Sequence, residues 1–193
     1  MTLANDEVDF DFRLKSGPNL ESTFELDARE FVITGIFDAP RDLVFSAWTE
    51  VAHLKNWFAP KGFTMPVHTL NLVPSGAFHY CLRAPSRSEL WGKWIFREIA
   101  TPERLVFMNT FSNKHGNLTR HPFIAKWPLE MLTTVTFKAV DHLTLVTIGW
   151  LPVNASQAER QVFGSKRREM QDGWQGTFEQ LRTYLATLPR AAD

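Results

Sequence analysis

The chain has 193 residues and equal numbers of basic and acidic side chains, 21 each, so its formal net charge is zero. That balance excludes the concentrated basic excess with which proteins hold nucleic acid. A single cysteine, Cys81, excludes an intrachain disulfide framework and a multi-thiolate metal site.

Residues 1–28 are polar and mixed in charge. Val8-Asp9-Phe10-Asp11-Phe12 alternates like a short strand and Ser16-Gly17-Pro18-Asn19 breaks it, so we read an arm, partly ordered, that pairs with a sheet edge. No basic segment leads into an apolar one at the N-terminus, and no run reaches membrane-spanning length. The expectation is a soluble, cytoplasmic protein without an integral membrane segment.

An apolar strand, Phe31-Val32-Ile33-Thr34-Gly35-Ile36-Phe37, opens the domain. Asp38-Ala39-Pro40 then starts a helix, with proline in the first turn where its missing amide costs nothing. Val44, Ala47 and Trp48 form the inner stripe of that helix, and a second short helix from Val51 to Trp57 buries Leu54 and Trp57.

The hydrophobic period then changes to two. Strands are expected at 64–72, 77–83, 90–99, 104–111, 131–140 and 143–151, separated by turn signals such as Pro74-Ser75-Gly76 and Thr101-Pro102-Glu103. Connections this short imply antiparallel neighbours. Ser112 to Pro128 is irregular yet holds Phe123, Ile124 and Trp127, bulky groups that suit a lid or mouth.

The last element reads as one long helix from Ser156 to about Leu188. Phe163, Met170, Trp174, Phe178, Leu181 and Leu185 recur on one face, Ser156 and Glu159 form a capping box, and Pro189 ends it. The basic triplet Lys166-Arg167-Arg168 reads as a solvated face. Gly164, Gly173 and Gly176 each cost roughly 1 kcal/mol against alanine in a helix interior. Gly173 and Gly176 flank the Met170–Trp174–Leu181 stripe on the side away from Phe178. Either a pocket opens along that edge or the glycines admit the two short helices. An apolar sheet face needs a cover, and this helix is large enough to provide it.

Several strings resemble a known family. Ala39-Pro40-Arg41-Asp42-Leu43-Val44-Phe45-Ser46-Ala47-Trp48-Thr49, followed by Trp57-Phe58-Ala59-Pro60, is similar to the opening of the heat-shock-protein-90 ATPase activator homologue family (its C-terminal domain type). That family lies within the START-like, birch-allergen-like (SRPBCC) superfamily. Trp127-Pro128-Leu129-Glu130-Met131 resembles its central strand entry, and Met170-Gln171-Asp172-Gly173-Trp174-Gln175-Gly176 its terminal helix. The resemblance implies an α+β helix-grip fold, a curved antiparallel sheet wrapped around a long C-terminal helix, with a START-like domain over 29–188 and a short tail at 189–193. It also implies a cavity between sheet and helix, which superfamily members use for lipids, sterols or other apolar molecules, in some cases catalytically.

The residues that would line such a cavity are Phe78, Tyr80, Trp94, Phe107, Phe111, Met170, Gly173, Trp174 and Phe178, with Leu82 and Phe96 beside them and Phe123 and Trp127 at the mouth. Tyr80, Asn109, Thr134 and Thr136 are the candidate polar orienting groups. No metal motif, phosphate-cradling loop, nucleophile elbow or cofactor signature occurs, His115 and His121 lack a third ligand at useful spacing, and no catalytic residue is assigned. The leading expectation is a protein that binds a small hydrophobic or amphipathic ligand. The alternatives are an interaction module with a chaperone or a second copy as partner, and an enzyme using the same cavity.

Overall fold

The computed structural model describes residues 30–189. The expected arm at 1–28 and the end of the tail lie outside the described residues.

Period-two patterning builds β1 (Phe31–Phe37), β2 (Thr64–Leu70), β3 (Ala77–Arg83), β4 (Glu89–Ala100), β5 (Arg104–Ser112), β6 (Leu118–Thr119), β7 (Glu130–Val140) and β8 (Leu143–Val153). They form one antiparallel sheet in the order β1-β8-β7-β5-β4-β3-β2, with the short β6 pairing beside β5. Alternation decides which residues face inward. On β7, Met131, Thr133, Val135 and Phe137 are buried while Leu132, Thr134 and Thr136 are half-buried on the other face. Thr134 and Thr136 are therefore on the outer face, which corrects their expected place as orienting groups.

Between β1 and β2 lie α1 (Arg41–Thr49) and α2 (Val51–Leu54). Pro40 sits at the N-cap of α1 in extended conformation, one position before the helix proper. The second helix is shorter than expected: residues 55–57 form a turn, and the Trp57 indole N–H donates to the Ala47 carbonyl at 2.9 Å, anchoring α2 back on α1.

The C-terminal helix is not one rod. It divides into α3 (Gln157–Ser165) and α4 (Arg167–Leu185) at Lys166, whose φ of −99° and ψ of 11° leave the helical region. The Lys166 amide bonds the Phe163 carbonyl at 3.1 Å, a tightened final turn, and the Ser165 hydroxyl donates to the Val162 carbonyl at 2.8 Å. The capping box that opens α3 is present, with the Ser156 amide donating to Glu159 at 2.8 Å. α4 lies in the concave side of the curved sheet and buries Met170, Trp174, Phe178, Leu181 and Leu185. The helix-grip arrangement follows.

Two arginines of α4 reach the edge of β1 that no other described strand pairs. Arg167 donates to the Glu30 carbonyl at 2.8 Å and Arg182 to the Ile36 carbonyl at 3.2 Å. Arg167 is thus engaged rather than solvated, and the pair occupies two carbonyls on an edge that no described strand covers.

Candidate functional site

The buried face of α4 meets the sheet through stacked rings. Trp48 of α1 is parallel to Trp174 at 6.0 Å and to Trp94 of β4 at 6.4 Å, and Trp94 stacks on Phe107 at 4.3 Å. Trp48, Trp94, Phe78, Phe107 and Phe178 are all at most 2% exposed, so this end of the sheet–helix space is solid.

The other flank of α4 is not filled. An open cleft of about 1330 Å³ runs between the helix, the inner faces of β3, β5, β7 and β8, and the irregular segment before β7. Tyr80, Phe111, Trp127, Met170, Gly173 and Trp174 line it, together with Leu82 and Asn109. Phe78, Trp94, Phe107 and Phe178 do not; they lie in the packed core behind the wall. Phe58, which follows α2, covers two of them, sitting edge-on against Trp94 at 5.0 Å and Phe78 at 6.3 Å as well as against Tyr80 at 5.2 Å. Trp94 stacks over Phe107, and Trp174 packs on Phe178. Phe58 presents its own surface to the cleft. Phe123 is 82% exposed and outside the lining, pointing to solvent rather than closing the mouth.

Gly173 and Gly176 lie on the open flank, and a Cβ built at either would meet nothing within 4 Å. Neither short helix packs against them. The flank continues through Thr177, Gln180 and Tyr184, a second stripe running beside the apolar one at helical spacing. Gln180 donates to the Ala59 carbonyl at 2.8 Å, and the Tyr184 hydroxyl is 2.7 Å from His53 Nδ1, so both tie the helix to the α1–α2 side.

Tyr80 holds its place through Gly92, its register partner on β4. The ring covers the glycine so closely that a Cβ there would overlap the phenol. Burial pushes the Tyr80 phenol well above its ordinary range, with a smaller opposing effect from a hydrogen bond to Trp94, so it stays a neutral hydroxyl.

The segment before β7 supplies His121, Ile124 and Trp127 to the wall. His121 Nδ1 accepts the amides of Phe123 at 3.0 Å and Ile124 at 3.1 Å, which places the ring proton on Nε2. Its ring lies 4.5 Å from Phe111 and 5.7 Å from Trp127, and burial holds its pKa below the usual histidine value. Arg120 pairs with Glu159, whose carboxyl also takes the Ser156 amide, and these partners hold it down to about 2. Trp127 packs on Phe163 of α3 at 5.6 Å. The segment is therefore fixed to α3 by an ion pair and a ring contact.

Among the described residues no group of three His, Cys, Asp or Glu side chains stands together as a metal site. Cys81 is fully buried and its thiol is pushed up, chiefly by that burial, which suits an inert side chain.

Phe58, Trp150, His121 and Tyr184 are wall residues that sequence reasoning missed. Trp150 had a signal in its alternation with Ile148 and Val146, and Tyr184 in its spacing from Gln180 and Thr177. Phe58 follows α2 in a stretch without period, and no pattern marks it.

The family described as activator of Hsp90 ATPase homolog 1-like protein matches residues 38–186. No curated protein matches the sequence. Among solved structures, a Mycobacterium smegmatis protein is 20% identical with a TM-score of 0.67, covering 86% of this chain and 95% of its own. An Arthrobacter aurescens protein is 24% identical with a TM-score of 0.67, covering 87% and 92%. An AHSA1-like protein from Aeromonas hydrophila is 17% identical with a TM-score of 0.61, covering 85% and 98%. At these identities the likeness is one of fold.

Proposed function

The chain belongs to the activator of Hsp90 ATPase homolog 1-like family, and from that membership and the cleft we propose that it binds a small hydrophobic or amphipathic ligand between the sheet and α4. One observation carries the reading: α4 keeps two exposed glycines on the flank that lines the cleft, where a Cβ would meet nothing within 4 Å. Each forfeits roughly 1 kcal/mol of helix stability, and no packing requirement explains them. The ring-lined wall offers about 25 cal/mol per Å² of apolar ligand surface covered. Thr177, Gln180 and Tyr184 supply hydrogen-bonding groups for a polar end.

Native mass spectrometry of freshly purified protein, with extraction and identification of the released molecule, tests this. A non-covalent adduct lost on replacing Gly176 with leucine supports it. Purified protein that carries no adduct and takes up none from a metabolite extract counts against it.

A second reading, contact with Hsp90 or another chaperone, draws on the family's description and on one surface feature. Ala77, Ile95, Met108, Leu132 and Leu151 are successive register partners on the outer face of five neighbouring strands. In this apolar row Met108 is buried and the other four side chains are half-buried, so each of those four offers part of its surface. Leu132→Glu should abolish chaperone capture if the row is the contact, while leaving cleft binding unchanged.

A further inference from the structure

The segment that forms one end of the cleft has a second property. From Arg104 to Leu129 the chain contains no Asp or Glu, while residues 113–128 include Lys114, Arg120 and Lys126. Phe123 at 82% and Leu118 at 46% are among the most exposed large apolar side chains described. Two nearby carboxylates are held by arginines, Glu159 by Arg120 and Glu89 by Arg83, and Glu89 also interacts with Lys114. Lys114 and Lys126 are both exposed, and the segment itself carries no acidic side chain.

We propose that the 113–128 segment docks the protein on an anionic lipid surface, with Phe123 entering the interfacial layer and Lys114 and Lys126 meeting the headgroups. A lone exposed leucine needs no explanation, but an almost fully exposed phenylalanine beside Pro122 is costly in water and suited to the headgroup–acyl boundary. Basic side chains flanking an aromatic are the pattern of an interfacial contact. Among the described residues no helix is long and apolar enough to cross a bilayer, and the contact proposed is an interfacial one. The scaffold behind Phe123 is firm, because His121 accepts the Phe123 amide and Trp127 is seated on Phe163. The aromatic is thus presented on a fixed turn, which lowers the ordering cost of insertion. His121, Ile124 and Trp127 of the same segment line the cleft, so docking here sets the cleft mouth against the membrane. The docking stands on the segment alone and does not need the cleft to be a ligand site.

The test is co-sedimentation of the full chain with vesicles of phosphatidylcholine plus phosphatidylglycerol, against vesicles of phosphatidylcholine alone. Binding is expected to the anionic vesicles and to weaken as salt rises. Phe123→Ser should lower the partition coefficient roughly tenfold or more, and Lys126→Gln about fivefold. Both side chains are exposed and outside the cleft lining, so both variants should fold and retain cleft affinity. Gly176→Leu, which fills the cleft, should leave vesicle binding unchanged, so a failed cleft reading and a failed docking reading are told apart. Absence of binding to anionic vesicles, binding indifferent to both loop variants, or equal binding to neutral vesicles would overturn the proposal. So would capture of a protein partner through Phe123 with no vesicle binding.

Discussion

The indole of Trp48 lies parallel to that of Trp174, 6.0 Å away and 15° from coplanar. One ring comes from the first helix and the other from the last, so this stack ties the two ends of the described domain together beneath the sheet. Trp174 has one side in that stack and another on the cleft wall. Core stability and cleft shape therefore depend on the same residue.

Replacing Trp48 with alanine should cost about 3–5 kcal/mol, as for other large buried rings. Trp174→Ala should cost a comparable amount. Because the rings touch, the double variant should lose less than the two single losses combined, by about 0.5–1.5 kcal/mol. Urea denaturation of the four proteins measures this, and strict additivity would show that the stack has no energetic content.

Gly173→Ala and Gly176→Ala should each stabilise the fold by about 0.5–1 kcal/mol, since helix propensity improves and nothing is struck. Both should weaken ligand binding, because the added methyl projects into the cleft. A gain in stability with a loss of affinity is the signature of a position kept open for function. Destabilisation by either alanine would mean that the flank is closed in solution.

Gly92→Ala should behave oppositely. The Tyr80 ring occupies the place of the new methyl, so the variant should lose about 1–3 kcal/mol. Pairing it with Tyr80→Leu should restore part of the loss, measured by thermal or urea unfolding.

Acid should loosen the 113–128 segment in two steps. The His121 pKa is lowered in the fold, so the stability it confers is complete above the unfolded value of 6.5 and is lost as pH falls below it. Protonation also removes the Nδ1 acceptor that holds the Phe123 and Ile124 amides. The Glu159 pKa is lowered from 4.5 to about 2, so its contribution is present above 4.5 and disappears as pH falls towards 2. The protection of the Phe123 and Ile124 amides, relative to their intrinsic exchange, should fall first, and His121→Phe should abolish the dependence of that first step on pH. Exchange rates following only the intrinsic pH dependence would contradict this.

Much of the architecture is legible in the residues because burial imposes a period. Alternation marks β7 as a strand with one buried face, though Thr134 and Thr136, expected on the cavity side, face out, and Ser156 with Glu159 announces the start of α3. The break at Lys166 was hidden, since the apolar stripe runs on through it from Phe163 to Met170. For the candidate site the limit is different. Periodicity tells which side chains face inward, but not which inward ones are covered by something else. Phe78, Trp94 and Phe107 point to the same side as Tyr80 and Phe111, and what separates wall from core is that Phe58 covers Phe78 and Trp94 while Trp94 covers Phe107. That separation is set by a contact between the segment after α2 and strands distant from it in sequence, which no local pattern records.

The central claim is that a ligand enters along the glycine flank of α4. The most direct measurement is a titration of isotope-labelled protein with the molecule recovered by native mass spectrometry, followed by amide and indole chemical shifts. The account predicts the largest changes at Gly173, Gly176, Thr177 and the Trp150 indole, with the outer face at Ile95, Leu132 and Leu151 unmoved. Changes confined to the outer face, or none at the two glycines at saturation, would contradict it.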